Sequence, residues 1–437
     1  MKLLEVSAVL ALVGSAAPAL AQEAAFVRLD PNATTHVFAE GAVITPSSSI
    51  PKPQPQPRPQ PGTGQAAAHT NVHIFQPAGM PANVSRGAVP AAVGPPFPGY
   101  YFETPESIAC IYRFVSAIPG CNPNTVMAVP RGGSRTIAIV DAYDAPFALA
   151  DLNTFSLQFG LPPPNLQVVY ATSSGTQTTT PPPYDAGWEV EISLDIQWAH
   201  AMAPNAKIIL VEAASSAGSD LLAAVHLANT LLATAGGGEI SMSWGSGEFS
   251  SENTLDSTYF STPGVVYFAA TGDSPGTSWP SVSASVVAVG GTSVSRNPAN
   301  GAFIGEAAWY DAGGGPSEFV PKPSYQNSVT KLGNIVYRGV PDIAAVANPR
   351  TGVWVYDSDA GGWLIVGGTS VATPVVAGLV NNTGHFNASS NAELTLYYRT
   401  PSQFNDVLQG ICGPDTGYWA ALGWDFCTGL GSPVKRQ

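Results

Sequence analysis

The chain has 437 residues, which is enough for one large domain with extensions or for two to three ordinary domains. Apolar residues make up 45% of the chain but charged residues only 11%, so Ser, Thr, Asn, Gln, Gly and Pro must supply much of its solubility. The net charge of -13 disfavours nucleic acid as a partner, because phosphate backbones bind clustered cations. An acidic surface that is poor in Lys also tolerates low pH, since its carboxylates can lose their charge without leaving a large positive excess.

The first 21 residues have the pattern of a secretory signal peptide. Lys2 precedes an apolar run from Val6 to Leu20, and Ala19-Leu20-Ala21 gives the small-x-small pattern of a cleavage site. The run is shorter than the roughly 20 residues that span a bilayer, so a secreted chain is predicted rather than a membrane anchor.

Residues 22–100 contain an alternating Pro-rich stretch from Pro51 to Pro61, surrounded by Ala, Gly and Ser. This composition is typical of an extended polyproline segment. We expect residues 22–100 to be extended or to act as a pro-segment with little packed structure, and residues 101–437 to form the globular domain.

From Thr104 onward, apolar β-rich runs alternate with helical patterns. The predicted strands cover residues 136–140, 167–170, 207–212, 239–242, 265–270 and 286–290. The predicted helices cover residues 147–159, 189–202, 219–235 and about 370–380. Repeated strand-helix-strand units favour an α/β fold with a mainly parallel sheet and helices on both faces.

The four cysteines fall into two local pairs, Cys110 with Cys121 and Cys412 with Cys427. Four cysteines can be joined in three ways, and local pairing is favoured here. Each bridge would close a loop of about a dozen residues and stabilise the fold by roughly 3 kcal/mol. Zinc is a poor alternative, because the cysteines form no CxxC pattern and have no accompanying His.

A serine that could act as a nucleophile stands in Gly367-Gly368-Thr369-Ser370, at the start of a predicted helix with Pro374 in its first turn. Glycines permit close approach of a substrate, and a helix N-terminus favours developing negative charge. The alternative for Ser370 is a simple helix cap.

A serine nucleophile needs a general base, and the globular part offers only His200, His226 and His385, none in a His-Gly context. Glu191 and Asp195 lie four residues apart, on one face of a predicted helix, with His200 on the opposite side. Like charges at that spacing repel each other, so the pair is either functional or an ordinary solvated acidic face.

Asp273 follows a predicted apolar strand, in the turn Gly272-Asp273-Ser274-Pro275-Gly276. Sites in open parallel sheets form beyond the carboxyl ends of strands, so Asp273 is placed like a functional residue, although turns also favour Asp. Asp141 and Asp144 end the first strand and are interpreted as structural or substrate-side residues.

Together these elements resemble the sedolisin family of serine-carboxyl peptidases, which have a subtilisin-like fold and use a Glu in place of the His base. The resemblance covers about Thr104 to Pro433 and rests on seven motifs in order. They are Thr104-Pro105, Glu191-xxx-Asp195 followed by Ala203-Pro204-Asn205-Ala206, Ser243-Trp244-Gly245, Gly272-Asp273, Pro341-Asp342-Ile343, Gly368-Thr369-Ser370 and Gly429-Leu430-Gly431-Ser432-Pro433.

The resemblance implies that Ser370 is the nucleophile and Glu191 its general base and acid. It also implies that Asp195 orients Glu191 and that Asp273 is the oxyanion-hole donor. Because Glu and Asp have ordinary pKa values of roughly 4.3 and 3.9, such a base works in acid, and Asp273 can donate only when protonated. The implied protein is a secreted, acid-active, monomeric endopeptidase that acts on proteins or peptides and has no membrane partner.

The resemblance further implies one calcium ion near the C-terminus. The side chains of Asp406 and Asp425 and the carbonyls of Val407, Ala421 and Gly423 would bind it. Such oxygen ligands suit a hard cation, and the alternative is two Asp residues in ordinary turns. Ala421 stands where the family usually has Gly.

The chain departs from the family in two places, and two rival functions remain open. The segment before the catalytic region is shorter than the usual folded propeptide, and Pro275 stands where a Gly is more usual. A catalytically silent relative that binds peptide or calcium is one rival, although all four site residues are present. A glycosidase that uses Glu191 and Asp195 is the other, and it would leave Ser370 and Asp273 without a role.

Overall fold

The computed structural model describes residues 36–38, 42–44, 67–77, 94–116, 118–413 and 416–435. The predicted signal peptide and most of the Pro-rich segment lie outside the described residues. Within the described ranges, no helix combines the length and the apolarity needed to cross a membrane.

The elements of the central domain alternate between strands and helices, and each element predicted from the sequence forms. The strands are β1 (His36–Phe38), β2 (Ala42–Ile44), β3 (His69–Thr70), β4 (His73–Phe75), β5 (Thr136–Ala142), β6 (Asn165–Ala171), β7 (Gln177–Thr178), β8 (Lys207–Ala213), β9 (Gly238–Met242), β10 (Trp244–Gly245), β11 (Val265–Ala270), β12 (Val287–Arg296), β13 (Phe303–Ala308), β14 (Gly315–Pro321), β15 (Tyr337–Val340), β16 (Ile343–Val346), β17 (Val353–Asp357), β18 (Gly362–Gly367), β19 (Phe404–Asn405) and β20 (Ser432–Pro433). The α-helices are α1 (Pro105–Ile111), α2 (Ala148–Gln158), α3 (Ala186–Met202), α4 (Gly218–Ala235), α5 (Asp256–Tyr259), α6 (Thr369–Thr383) and α7 (Ser390–Arg399).

The central sheet has nine strands in the order β13-β12-β11-β9-β5-β8-β6-β7, with β16 also paired to β12. The pairs from β12 through β6 and the β12–β16 pair are parallel, and the edge strands β13 and β7 are antiparallel. This order confirms the predicted α/β fold with a doubly wound, mainly parallel sheet.

Both faces of this sheet are buried. Along β11, Tyr267 packs in one core cluster with Val225 of α4, whereas the next residue, Phe268, packs in another with Val371 of α6. Successive side chains of a strand point to opposite faces, so helices cover the sheet on both sides.

Helices α3 and α6, which carry the predicted catalytic residues, approach each other very closely. A Cβ at Gly378 of α6 would lie 2.7 Å from the Cβ of Met202 and 2.9 Å from the carbonyl oxygen of Ala199 in α3. Only glycine fits this contact without a shift of the two helices, so the contact fixes where the two helices lie relative to each other.

The Pro341-Asp342-Ile343 motif has a structural explanation in a fully buried ion pair. Asp342 Oδ2 lies 2.7 Å from Arg338 Nη2 and accepts a hydrogen bond from the Ala288 N–H (2.8 Å), and Oδ1 accepts one from the Tyr398 hydroxyl (2.9 Å). Both predicted disulfides are confirmed, Cys110–Cys121 and Cys412–Cys427.

Candidate active site

Ser370 is fully buried and is the second residue of α6, directly after Thr369 and the cap residue Gly368. Its hydroxyl donates a hydrogen bond to the carbonyl oxygen of Ser243 (3.0 Å) and accepts one from the backbone N–H of Asn71 (3.2 Å). The serine therefore stands at a helix N-terminus, as the glycine-rich motif predicts.

Ser243, at the end of β9, links the nucleophile's helix to the acidic helix. Its hydroxyl donates to Asp195 Oδ1 (2.8 Å) and also lies 3.3 Å from the carbonyl oxygen of Ser370. That carbonyl lacks a helical donor because Pro374, four residues on, has no N–H. Pro374 is the sixth residue of α6, so its predicted place in the first turn is wrong.

Three carboxyl groups are buried together beside Ser370: Glu191 and Asp195 of α3 and Asp141 of β5. Among the described residues, both oxygens of Glu191, both of Asp141 and Oδ2 of Asp195 have no hydrogen-bond partner. The interpretation of Glu191 and Asp195 as a solvated acidic face is therefore wrong. The interpretation of Asp141 as merely structural or substrate-side missed its place beside this pair.

Burial and mutual repulsion perturb these carboxyl groups strongly. Burial raises the pKa of Glu191 well above its usual range, the charge of Asp141 raises it further, and the nearby Ser370 hydroxyl lowers it in part. Burial also raises the pKa of Asp195, again with a contribution from Asp141, and it raises the pKa of Asp141 to about 8. These buried carboxyl groups therefore stay protonated at pH values at which an exposed carboxyl is ionised.

His200 lies apart from these contacts although it is on the same helix. It is buried, its Nε2 lies 3.0 Å from the carbonyl oxygen of Pro162, and burial lowers its pKa to about 4. Its position agrees with the sequence interpretation of a packed residue rather than a base.

Asp273 lies in the turn after β11, next to the start of α6. Its Oδ1 accepts hydrogen bonds from both the N–H and the hydroxyl of Thr369, each at 2.8 Å. Its Oδ2 lies 3.0 Å from Nε2 of His73. The structure thus brings all four predicted residues, Ser370, Glu191, Asp195 and Asp273, into one site.

Residues 67–77 cross this site as an extended segment that the sequence did not predict to pack. Strand β3 pairs antiparallel with β10, and β4 pairs antiparallel with β18. Between them, Asn71 is buried, and a Cβ at Gly368 would lie only 1.7 Å from its carbonyl oxygen. The segment occupies the space directly over Ser370. The short polar and apolar alternation from Asn71 to Ile74 is the one sequence signal that could have revealed a strand.

His73 of this segment is held beside Asp273. Burial lowers the pKa of His73, but the hydrogen bond and charge of Asp273, with the charge of Asp311, raise it overall above its usual value. The imidazolium and the carboxylate therefore stabilise each other while both are charged.

The predicted calcium loop presents its oxygens to a cation. The ammonium of Lys331 donates to the carbonyl oxygens of Ala421 (2.9 Å) and Gly423 (3.4 Å), two of the predicted ligands. Asp406 Oδ2 accepts a hydrogen bond from the Gly423 N–H (2.6 Å), and Asp425 accepts several from the backbone. These oxygen ligands suit a cation, but the Lys331 ammonium already contacts the two carbonyl oxygens.

The fold and the site together define a class of protein. It is an α/β protein with a subtilisin-like sheet that places a serine and several carboxyl groups in one site. Kumamolisin of Bacillus sp. (strain MN-32) is 30% identical over 366 residues, which are 76% of this chain and 62% of kumamolisin. Sedolisin of Pseudomonas sp. (strain 101) is 27% identical over 344 residues, 70% of this chain and 57% of sedolisin.

A solved structure gives the same result. Pseudomonas sedolisin, a serine-carboxyl proteinase complexed with two molecules of pseudo-iodotyrostatin, superposes with a TM-score of 0.62 and 26% identity over 76% of this chain and 95% of that one. No protein-family model matches the chain. The chain is similar in sequence and in fold to these members of the sedolisin family and spans about three fifths of the length of the two curated relatives.

We predict that the free energy of unfolding falls as pH rises from about 4 to about 8. Asp141, Glu212 and Glu239 have pKa values raised by burial to about 8, 9 and 8, so the native state keeps protons that the unfolded chain releases from about pH 4 upward. This stability is complete below the unfolded pKa values and is lost as pH rises toward the folded ones. Asp141→Asn removes one such group and should flatten the fall by up to about 1.4 kcal/mol per pH unit.

Urea unfolding at intervals from pH 4 to 8, on chains that also carry Ser370→Ala, measures this slope. Glu318→Gln, at an exposed acid, is the matched control and should leave the slope unchanged. Equal slopes for Asp141→Asn and the control would contradict the claim that the buried Asp141 carboxyl lowers the free energy of unfolding as pH rises.

Proposed function

We propose that this chain is a secreted, acid-active serine-carboxyl endopeptidase, with residues 1–21 as its signal peptide and residues 101–437 as its catalytic domain. The observation that carries the proposal is the position of Ser370, which opens α6 between buried Glu191 and the Asp273 turn. Similarity to kumamolisin and to Pseudomonas sedolisin supports the same activity.

In the proposed reaction, the Ser370 hydroxyl turns from the Ser243 carbonyl toward Glu191 and attacks the carbonyl carbon of a peptide bond. Glu191, which lies beside the Ser370 hydroxyl, acts as the base only in its ionised form, a fraction that burial keeps small in acid. It takes the hydroxyl proton and then gives it to the leaving amine. Asp195, held by Ser243, orients Glu191. Water then hydrolyses the acyl-enzyme by the same proton transfers in reverse.

Asp273 would stabilise the oxyanion that forms in this reaction. Thr369 fixes Asp273 Oδ1 through two hydrogen bonds, which leaves Oδ2 to face the substrate once His73 has left. A carboxyl group donates a hydrogen bond only when it is protonated, so this donor works in acid.

The proposal includes a role for residues 67–77 as an inhibitory pro-segment. The segment pairs with strands on both sides, as an extended substrate would, and its Asn71 N–H holds the nucleophile. The contact between His73 and Asp273 Oδ2 holds the segment over the site, and departure of the segment exposes this oxygen to the substrate.

One calcium ion is proposed for the C-terminal loop, held by Asp406, Asp425 and the carbonyls of Val407, Ala421 and Gly423. When bound, it would supply positive charge that ties these loop segments together. Since the Lys331 ammonium lies on two of these carbonyls, calcium must displace it, and the two cations compete.

Ser370→Ala should lower the kcat of proteolysis by several orders of magnitude, because the nucleophile is lost. The chain should stay folded. Digestion of a denatured protein at pH 4, with the fragments identified by mass, measures the activity. More than about a tenth of wild-type activity in the variant, or a wild-type optimum at pH 7 or above, would overturn the proposal.

His73→Gln should shorten the lag between acidification of the full chain and cleavage of a soluble peptide by about tenfold. The variant loses the charged contact with Asp273, and a loss of about 1.4 kcal/mol makes the open state about tenfold more populated. His69→Gln, in the same segment but not paired with Asp273, is the control and should keep the wild-type lag. An unchanged lag in His73→Gln would remove the pro-segment role.

Lys331→Met should increase the rise in melting temperature that a given concentration of calcium chloride produces, because the competing ammonium is gone. Lys322→Met is the control and should respond like the wild type. Identical calcium responses in Lys331→Met and the control would contradict the competition. Equal melting curves with calcium and with chelator in both Lys331→Met and the wild type would remove the ion altogether.

A further inference from the structure

A second group of acids is buried outside the candidate active site and the C-terminal loop. It consists of Asp151 of α2, Glu189 in the first turn of α3 and Asp357 at the end of β17, which are exposed by only 2%, 1% and 0%. One carboxylate oxygen from each residue lies within 4.8 Å of the others. Three different elements thus direct carboxylates into one small space.

Glu189 is the member of the cluster whose buried carboxylate is not compensated by a hydrogen bond from the described part of the chain. Both of its oxygens, and Oδ2 of Asp357, are buried without a hydrogen-bond partner among the described residues. The Tyr184 hydroxyl lies near Glu189 but gives its one proton to Asp359. An unpaired carboxylate at this depth costs several kcal/mol.

Hydrogen bonds hold the other two carboxylates in place. Asp151 Oδ2 accepts from the N–H (2.9 Å) and the hydroxyl (3.0 Å) of Ser358, and Asp357 Oδ1 accepts from the Ala360 N–H (2.8 Å). These bonds leave one oxygen of each side chain free to turn toward Glu189. The hydrogen bonds therefore fix the positions of the Asp151 and Asp357 carboxylates.

Within the part of the chain that the structure describes, no ion pair joins the cluster to a basic side chain. The ion pairs among the described residues are His73–Asp273, Arg296–Glu103 and Arg338–Asp342, and none involves the cluster. Another acid, the exposed Asp359, adds negative charge beside the cluster. A cation from solution is the simplest group that could balance these carboxylates.

We propose that Asp151, Glu189 and Asp357 form a calcium site distinct from the C-terminal loop. Calcium binds oxygens at about 2.3–2.6 Å, so oxygens around one ion can lie up to about 4.6–5.2 Å apart. The three oxygens of the cluster lie within this limit. Carboxylate oxygens alone favour such a hard cation over transition metals. The exposed Asp359 marks the side from which the ion enters. The ion would tie the first turn of α3, two residues before Glu191, to α2 and β17.

Calorimetric titration with calcium chloride tests the site on the full chain carrying Ser370→Ala, so that self-digestion does not interfere. We expect Glu189→Gln to bind one calcium ion fewer than its parent at pH 7 and to lose the part of the calcium-induced rise in melting temperature that this ion contributes. Asp357→Asn should show the same loss, which guards against a folding defect particular to one variant. Glu318→Gln, at an exposed acid outside both proposed sites, is the matched control and should bind as many calcium ions as its parent.

Two outcomes would overturn the proposal. One is an unchanged stoichiometry and melting response in both Glu189→Gln and Asp357→Asn. The other is saturation by magnesium chloride at the same concentrations as calcium chloride, since a site that does not distinguish the two ions is not the calcium site proposed here. Neither outcome depends on proteolytic activity, so the proposed peptidase function is tested separately.

Discussion

The burial of three carboxyl groups beside one serine is the constraint on which the rest of this structure depends. Asp141, Glu191 and Asp195 have no counter-ion among the described residues, and each raises the cost of ionising the others. A fold tolerates this only if the surrounding contacts are rigid. The close packing of α3 on α6 at Gly378 and the bridge through the Ser243 hydroxyl provide that rigidity.

The same constraint connects the site to the chain's acidic composition. With 30 Asp and Glu residues against 17 Lys and Arg, few cations are available to pair with buried acids. Protons or bound metal ions must then balance the charges that cannot reach solvent. The active-site carboxyls, the cluster at Glu189 and the loop at Asp425 are three places where this need arises, and in the last of them Lys331 already supplies a cation.

Local pattern was enough to predict six of the nine strands of the central sheet, four of the helices and both disulfides, but not strands β7, β13 and β16. The helix that carries Glu191 begins three residues earlier than predicted because Asp185 caps it with two backbone hydrogen bonds. The four candidate site residues were found because glycine-rich turns and an acidic pair at helical spacing are visible in the sequence itself.

What the sequence could not reveal were contacts between distant residues. The Asn71 N–H meets Ser370 across 299 positions, and Lys331 reaches Ala421 across 90, and neither contact leaves a periodic signal. The place of Asp141 beside Glu191 likewise depends on how β5 and α3 pack. The Pro-rich composition of residues 22–100 predicts little packed structure, and within residues 67–77 only the four residues from Asn71 to Ile74 alternate as a strand does.

The central claim is that a buried glutamate, and no histidine, serves as the base for Ser370. The most direct measurement is the single-turnover rate of acyl-enzyme formation on a chromogenic peptide at pH 4 for Glu191→Gln. Asp144→Asn, a half-buried acid after the end of β5, is its control. The account predicts a loss of about a thousandfold or more in Glu191→Gln, because an amide cannot take the serine proton, and little change in the control. A rate within about tenfold of the wild type would contradict it.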